Sequence, residues 1–258
     1  MKLAIVGAGK MGGAILMGAL QTGVLQAGEV GIYHPDAERL EVLAGHYGVA
    51  ALDDEGIHRA ERVLIAVKPQ SFDAVAPLIA RRNASYISLM AGVSSETVAR
   101  RVGSLRVVRA MPNLGARVGQ SATALSALAQ ATPEDIAMAE QLFGAVGTVH
   151  HLPERLFDAF TGLAGSGPAY AAVFAEALAD GGVRVGFGRE LATSLARQVL
   201  LAAARLLEEE PPAELKNEVA SAGGTAIAGI MALEHCGLRY AVMKAVEDAA
   251  ARAAALSR

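Results

Sequence analysis

Apolar residues in the first half of the chain fall in short runs, separated by longer stretches of mixed polarity. Such runs predict buried strands. The predicted strands are Leu3–Val6, Glu29–Tyr33, Arg62–Val67, Ser85–Met90, Leu105–Val108, Thr123–Leu125 and Thr148–Leu152. The stretches between them predict helices, the clearest being Pro35–His46, Phe72–Arg81, Ser94–Val102 and Pro133–Phe143. Strands and helices that alternate in this way indicate a doubly wound parallel sheet.

Beyond Pro153 the strand pattern stops and the chain becomes alanine-rich, with helical spacing. One helical face is formed by Leu191, Leu195, Val199, Ala202 and Leu206, and a similar face runs from Leu238 to Leu256. We therefore expect an α/β fold in two domains. Residues 1–153 would form the sheet domain and residues 154–258 an all-α domain. Because the helical half has much apolar surface to bury, we expect it to pair with a second copy of the chain.

Composition narrows the class of protein. A hydrophobic content of 53% with 19% charged residues excludes a disordered chain. The net charge of −3, with the signs mixed, gives no indication of a nucleic-acid or membrane partner. Cys236 is the only cysteine, which excludes an intrachain disulfide and is typical of the cytoplasm. Met11–Gly28 is uncharged, but its glycines and Gln21–Thr22 make a signal peptide or membrane span the weaker interpretation.

A glycine-rich turn follows the first strand directly. Gly7, Gly9 and Gly12 are spaced G-x-G-x-x-G, and a helical pattern begins at once. In such a turn the first glycine permits the tight bend, the second lets a pyrophosphate approach and the third allows close packing. The N–H groups of the helix start would face the anion. The sequence therefore predicts a dinucleotide site lined by Val6, Gly7, Ala8, Gly9, Lys10 and Met11.

The end of the second strand bears on which dinucleotide binds. NAD sites usually place Asp or Glu there to hold the ribose hydroxyl. Here the strand ends in Tyr33-His34-Pro35, which favours NADPH, with NADH as the alternative. His34 could meet the additional phosphate of NADPH, or it could be an exposed histidine without a role. FAD is a weaker candidate, because nothing later in the chain suggests a flavin pocket.

The remaining chemistry must come from segments that follow other strands. Lys68-Pro69 and Arg109–Asn113 lie at such places, although Lys68 could be a solvated lysine and Asn113 a turn residue. His150-His151 has no spaced cysteine or carboxylate partner, so no metal site is predicted. The residues alone thus indicate a nicotinamide-dependent reductase or dehydrogenase of a small molecule.

Three later motifs carry a family resemblance. Arg109–Asn113 (RAMPN), Ala164–Tyr170 (AGSGPAY) and Val219–Thr225 (VASAGGT) resemble pyrroline-5-carboxylate reductases. The likeness covers almost the whole chain and includes Ala66–Pro69, Glu176–Val183 and Met243–Arg252. These motifs are far more specific than the glycine turn.

The resemblance implies reduction of 1-pyrroline-5-carboxylate to L-proline with NADPH or NADH. It implies an N-terminal Rossmann domain and a helical domain that interlocks with a partner's, giving dimers and in some members decamers. The cofactor would also contact Ala66, Val67, Lys68, Pro69, Leu89, Met90, Ala91 and Asn113. The substrate carboxylate would bind Ser221, Gly223, Gly224 and Thr225, with Thr225 as the candidate catalytic residue. The alternative for these glycines is a helix start packed against a neighbour.

The sequence departs from the family pattern near the substrate end. Ala226 stands where the family has a threonine whose hydroxyl lies near the imine nitrogen, and Ala222 replaces a usual proline. Leu114-Gly115, Gln120 and Ala164 are smaller departures. Two further hypotheses therefore stay open. One is a related imine or β-hydroxyacid reductase with another substrate, and the other is a cofactor-sensing paralogue without catalytic activity.

Overall fold

The computed structural model describes residues 1–256 and divides them into two compact units. The first comprises Met1–Gly165 together with the end of the last helix from Asp248, and the second comprises Ser166–Glu247. The predicted domain limit, between residues 153 and 154, stays a prediction. Residues 257 and 258 of the predicted helical domain lie outside the described residues.

The first unit is built on one mixed sheet. Its strands are β1 (Leu3–Val6), β2 (Val30–Tyr33), β3 (Ala50–Ala51), β4 (Arg62–Ile65), β5 (Ser85–Ser88), β6 (Val107–Met111), β7 (Ser121–Ala127) and β8 (Gly147–His151). Their order across the sheet is β3-β2-β1-β4-β5-β6-β7-β8. The parallel pairs from β3 to β6 confirm the predicted doubly wound sheet.

Helices cover both faces of this sheet. They are α1 (Lys10–Gln21), α2 (Ala37–Tyr47), α3 (Asp54–His58), α4 (Phe72–Ile79), α5 (Ser95–Val102), α6 (Pro133–Gly144) and α7 (Phe157–Phe160). One apolar cluster includes Ile15, Leu16 and Phe143, and the other includes Phe72 and Val98. The sheet therefore has a core on each side.

Ser94 caps α5 as predicted, with its hydroxyl accepting a hydrogen bond from the Thr97 N–H at 3.1 Å.

The last part of the sheet differs from a simple parallel extension. β7 runs antiparallel to β6, while β8 is parallel to β7. Only residues 112–120 connect β6 to β7, which is too short for the crossover that a parallel neighbour needs. The short β3 and α3 were not predicted, because a two-residue strand such as Ala50–Ala51 has no periodicity to detect.

A buried carboxylate links the amino ends of β4 and β6. Asp135, in the first turn of α6, is fully buried and receives two hydrogen bonds of 2.8 Å from the Arg106 guanidinium. Arg62, at the start of β4, lies 3.3 Å from the same carboxylate. Burial acts to raise the pKa of Asp135, but hydrogen bonds from Arg106 and the Thr132 N–H outweigh it, and the pKa lies below its usual value. This edge is opposite the carboxyl ends, where ligands bind in such sheets.

The second unit is helical. Its elements are α8 (Gly167–Arg184), α9 (Arg189–Leu206), α10 (Pro212–Val219), α11 (Thr225–His235) and α12 (Leu238–Leu256), the last of which continues into the first unit. Its buried cluster, within the described residues, is Ala179, Ala192 and Ala196, with Val183 packed against it. Many larger side chains on the same helices are exposed, among them Leu195, Val199 and Met231. Over residues 1–256 no helix combines the length and apolarity needed to cross a bilayer.

Candidate active site

The glycine turn after β1 has the geometry of a phosphate-binding loop. Gly7 has φ of +94°, and its N–H donates to the Tyr33 carbonyl at 3.2 Å. A Cβ at Gly7 would lie 2.9 Å from the Ala66 carbonyl carbon and oxygen, while one at Gly12 would lie 2.7 Å from the Gly7 oxygen. Both glycines are thus required by close packing between the turn, α1 and the segment after β4.

Gly9 occupies a different environment. It precedes α1, its φ is −76°, and a Cβ built on it would meet nothing within 4 Å. No side chain caps the start of α1. The N–H groups of the first turn are therefore available to an anion, and the open space at Gly9 is where that anion would approach. The turn fits the pyrophosphate of a dinucleotide.

The other predicted cofactor segments in this unit lie beside the glycine turn. β4 and β5 follow β1 in the sheet, and Ala66 and Leu89 come directly after them. The Ala66 N–H donates to the Val6 carbonyl at 2.8 Å, and the Leu89 N–H donates to the Ile65 carbonyl at 2.9 Å. The strand order reverses between β1 and β4, where doubly wound sheets form their ligand crevice. The structure thus brings these segments to one crevice.

Within these segments, exposure differs from residue to residue. Lys68, Pro69 and Ala91 are exposed, Val67 is half-buried, and the Met90 side chain is buried in the core. Lys68 precedes a short 3₁₀ turn, Pro69–Ser71, and its carbonyl accepts the Ser71 N–H at 2.9 Å. A cofactor in the crevice would therefore meet the main chain of Met90 rather than its side chain.

His34 is placed at the end of β2 beside a cavity of about 480 Å³. His34 Nδ1 lies 3.1 Å from the Asp36 backbone nitrogen and 3.3 Å from the Asp36 carbonyl oxygen, so either tautomer of the ring has a partner. The Asp36 carboxylate accepts the Arg39 N–H and caps α2. Arg59, Glu41 and Asp53 also line the cavity, and the Arg59 guanidinium lies 3.6 Å from the Glu55 carboxylate. The first carboxylate after β2 is thus engaged in a helix cap.

Asn113 is placed differently from the other predicted cofactor residues. Its amide oxygen accepts the Gly115 N–H at 3.0 Å, and its amide nitrogen donates to the Ala164 carbonyl at 2.9 Å. Its own N–H donates to the Ser121 hydroxyl at 3.1 Å. These bonds are typical of a turn residue. The amide keeps a second N–H and a second oxygen lone pair, so a polar contact with a cofactor is compatible with these bonds, and the predicted role of Asn113 stays a prediction.

A partly buried ion pair that the sequence did not indicate lies near this turn. Arg109, on β6, donates to Glu154 Oε1 at 2.7 Å, and the guanidinium lies 4.8 Å from the Phe157 ring centre. The same Glu154 oxygen accepts the Ser95 N–H at 2.8 Å, at the start of α5. Arg109 was visible as part of a motif, but Glu154 had no signal because it lies far away in sequence. The pair attaches residues 154–157 to the sheet.

The predicted substrate loop lies in the second unit. Gly223 has φ of +69°, and Gly224 precedes α11, which begins at Thr225. The Gly224 N–H donates to the Ser221 carbonyl at 3.0 Å, and a Cβ at Gly224 would collide with the Ser221 hydroxyl. No side chain caps α11. The first N–H groups of this helix are therefore free, as the carboxylate interpretation needs.

The histidine pair on β8 has a local explanation. His151 Nε2 lies 2.7 Å from the Glu140 carboxylate, and His150 Nε2 lies 3.2 Å from the Thr148 hydroxyl. Across the part of the chain that the structure describes, no group of three or more histidine, cysteine or acidic side chains could hold a metal ion.

Comparisons with known proteins agree with this geometry. Residues 154–256 match the family model described as pyrroline-5-carboxylate reductase dimerisation, and residues 2–92 match the one described as NADP oxidoreductase, coenzyme F420-dependent. A pyrroline-5-carboxylate reductase of Thermus thermophilus is 52% identical over 253 residues, which are 98% of this chain and 97% of the relative.

Two solved structures that resemble this chain carry the same family name. A pyrroline-5-carboxylate reductase from Coxiella burnetii superposes with a TM-score of 0.91 at 30% identity, covering 100% of this chain and 98% of the other. A pyrroline carboxylate reductase from Plasmodium falciparum, solved with NADP bound, gives a TM-score of 0.87 at 26% identity, with coverage of 100% and 98%.

Proposed function

The chain belongs to the pyrroline-5-carboxylate reductase family, and we propose that it reduces the C=N bond of L-1-pyrroline-5-carboxylate to L-proline with NADPH. The observation that carries this proposal is the 52% identity to a reductase of that name over 98% of the chain. The intact glycine turn supports it independently, because an oxidoreductase of this kind needs a dinucleotide.

The reaction requires the protein mainly to position two ligands, the substrate and the cofactor. The nicotinamide supplies a hydride to the imine carbon when the cofactor is bound, and the ring nitrogen must carry or receive one proton. Residues around Gly9 and the start of α1 would hold the pyrophosphate. Ala66–Pro69 and Leu89–Ala91 would line the rest of the cofactor. Holding both ligands in reacting geometry can supply a large part of the rate enhancement.

The substrate carboxylate would bind at the start of α11. Its N–H groups lack a side-chain cap, and the positive φ of Gly223 turns the backbone before the helix. Ser221 adds a hydroxyl, which lies close to Gly224. The family has a threonine at the position of Ala226. We propose that Thr225, the first residue of α11, takes the role of that threonine.

Direct assay tests the proposed reaction. NADPH oxidation should depend on added pyrroline-5-carboxylate and should produce one L-proline per NADPH consumed, at enzyme concentrations high enough to reveal slow turnover. Absence of proline would exclude this function.

A substrate panel tests the second candidate, a related imine or β-hydroxyacid reductase, which Ala226 favours because the family hydroxyl is missing. That candidate requires another substrate to be turned over faster. NADPH binding without turnover of any imine would instead indicate the cofactor-sensing paralogue.

NADPH rather than NADH is favoured by the groups near β2. His34 and the guanidinium of Arg59 line the same cavity, which Glu41 and Asp53 also line. Asp36 is engaged in capping α2, and Asp53 accepts the Gly56 N–H at the start of α3. His34→Asp should raise the KM for NADPH about tenfold and leave the KM for NADH within about twofold, since a carboxylate repels a phosphate but can bind a ribose hydroxyl. Equal changes with both cofactors would contradict this assignment.

The second unit indicates how copies of this chain associate. The family model that matches residues 154–256 describes a dimerisation region, and exposed apolar side chains lie along α9, α11 and α12. We propose a homodimer formed through residues 154–258, which are also the proposed substrate domain. Further assembly into a decamer and a cytoplasmic location remain proposals from the family resemblance and from the single cysteine.

A further inference from the structure

A second cavity, of about 620 Å³, lies along one side of α1 in the first unit. Its walls come from α1 between Lys10 and Gln21, the end of α2, the turn at residues 116–119 and the residues after α6. It runs beside about 16 Å of helix, at 1.5 Å per residue. Cavities that bind small molecules have volumes in this range.

The charged groups that line this cavity are all basic. Lys10 and Arg117 are the charged residues of the walls, His46 adds an imidazole, and no aspartate or glutamate lines the cavity. Within residues 1–256, neither Lys10 nor Arg117 has a carboxylate partner, whereas Lys2, Arg106 and Arg109 each have one. Cations left unpaired around one concave surface create a positive potential that attracts anions.

The cavity lies on a different face of α1 from the glycine turn. Gly12 faces the Gly7 oxygen and Ala66, on the side that packs against the sheet. Gly13, the next residue, faces the Tyr47 hydroxyl, which lines the cavity. Only Lys10 belongs to both regions. A ligand in the cavity and a pyrophosphate at Gly9 would thus occupy separate positions.

We propose that this cavity binds a small molecule carrying a di- or triphosphate group, in addition to the cofactor. Arg117, which lies outside the proposed cofactor site, would hold a phosphate through its planar fork of N–H donors. The His46 ring and the Tyr47 hydroxyl add donors at the other wall. The absence of acidic lining residues removes the repulsion that such a ligand would otherwise meet.

Calorimetric titration tests this site in the full-length protein saturated with NADPH. Inorganic pyrophosphate and ATP, each without magnesium, are the two probes, and they distinguish a phosphate site from a nucleotide site. Arg117→Gln should weaken binding about tenfold or more, as expected for lost charged hydrogen bonds. Arg82→Gln is the matched control, because Arg82 is an exposed arginine of the same unit outside the cavity, and it should change binding less than about twofold.

Three results would overturn the proposal. They are no binding of either probe when NADPH is saturating, displacement of NADPH by the probes, and binding by Arg117→Gln as tight as by the unaltered protein. Reductase activity without the probes should be the same in both variants, because neither arginine lies in the proposed cofactor or substrate site. A melting temperature within about one degree of the unaltered protein would show that exposed Arg117 is not required for folding.

Discussion

Gly7 and Gly9 are two residues apart, yet the structure gives each a different reason to be glycine. At Gly7 the backbone has a positive φ and a side chain would press on the Ala66 main chain. At Gly9 the backbone is ordinary and the space is open. The first glycine is needed by the fold, and the second by a ligand that approaches the backbone.

Alanine at each position should separate these effects. Gly7→Ala should destabilise the protein by about 1–3 kcal/mol, the cost of a strained backbone. Gly9→Ala should leave the melting temperature unchanged and weaken NADPH binding by about tenfold or more, through loss of close approach. Thermal unfolding and fluorescence titration measure the two quantities. Undiminished NADPH binding by Gly9→Ala would contradict the placement of the pyrophosphate.

Ala226 is the residue at which catalysis itself can be tested. α11 begins at Thr225, so the side chains of Thr225 and Ala226 point about 100° apart around the helix. Ala226→Thr should raise kcat by about tenfold or more, if a hydroxyl there stabilises charge at the imine nitrogen in the transition state. The dissociation constant for NADPH should not change.

Ala228→Thr is a matched control for this substitution, since it adds the same side chain two residues further along α11. It should leave kcat unchanged. Thr225→Ala completes the set and should lower kcat if Thr225 has taken over the role. An unchanged kcat in both Ala226→Thr and Thr225→Ala would show that no hydroxyl at the start of α11 contributes.

Among the secondary-structure elements, α6 and the starts of β4 and β6 are joined by the Asp135 carboxylate. Asp135→Asn should destabilise the protein by about 3 kcal/mol or more, because two arginines would lose a buried anion. Exposed Asp73, paired with Arg101 at 3.0 Å, is the control, and Asp73→Asn should cost less than about 1 kcal/mol. Urea unfolding at neutral pH measures both.

The lowered pKa of Asp135 adds a pH dependence with a definite sign. A carboxyl group whose pKa is lower in the folded state stabilises the protein above its unfolded pKa, about 3.9. This stabilisation is lost as the pH falls through the folded value. The difference in unfolding free energy between the unaltered protein and Asp135→Asn should therefore shrink under acidic conditions. A difference independent of pH would show that packing, not charge, accounts for the effect.

The elements also show how far the sequence alone can predict this protein. Long helices were predicted because their apolar periodicity is strong, and central strands such as β1 and β4 because they are continuous apolar runs. The antiparallel direction of β7 depends on the turn between residues 112 and 120, whose conformation involves hydrogen bonds from Asn113 to Ser121 and Ala164. The Arg109–Glu154 pair depends equally on the completed fold, because its members are distant in sequence. Such contacts leave no local pattern.

For the whole molecule, the second unit raises the question of what covers its helices. Its buried cluster in the described residues consists of three alanines, each about 3% exposed, whereas Leu195 is 43% exposed and Val199 is 53% exposed. Alanine burial removes little apolar area from water. We therefore expect much of the stability of this unit to come from a second copy.

A charge on the exposed face of α9 should disrupt the assembly. Val199→Lys should shift the protein toward monomer and lower its melting temperature, since a lysine in an apolar interface must be desolvated. Sedimentation velocity measures the oligomeric state. Ala204→Lys adds the same charge about 140° around α9 from Val199 and should have the smaller effect. A dimer of unchanged stability in Val199→Lys would exclude this face.

The position of Asp135 at the amino edge of the sheet, away from the crevice beside β1 and β4, has a consequence for how this protein can change. The ion pairs of Asp135 and the loops that follow β1, β4 and β5 lie at opposite edges of the sheet. Substitutions in the loops that follow β1, β4 and β5 can accumulate without weakening the contacts of Asp135. Cofactor preference and substrate range are thus free to diverge on a constant framework, and directed evolution restricted to the crevice loops should retain a large fraction of folded variants.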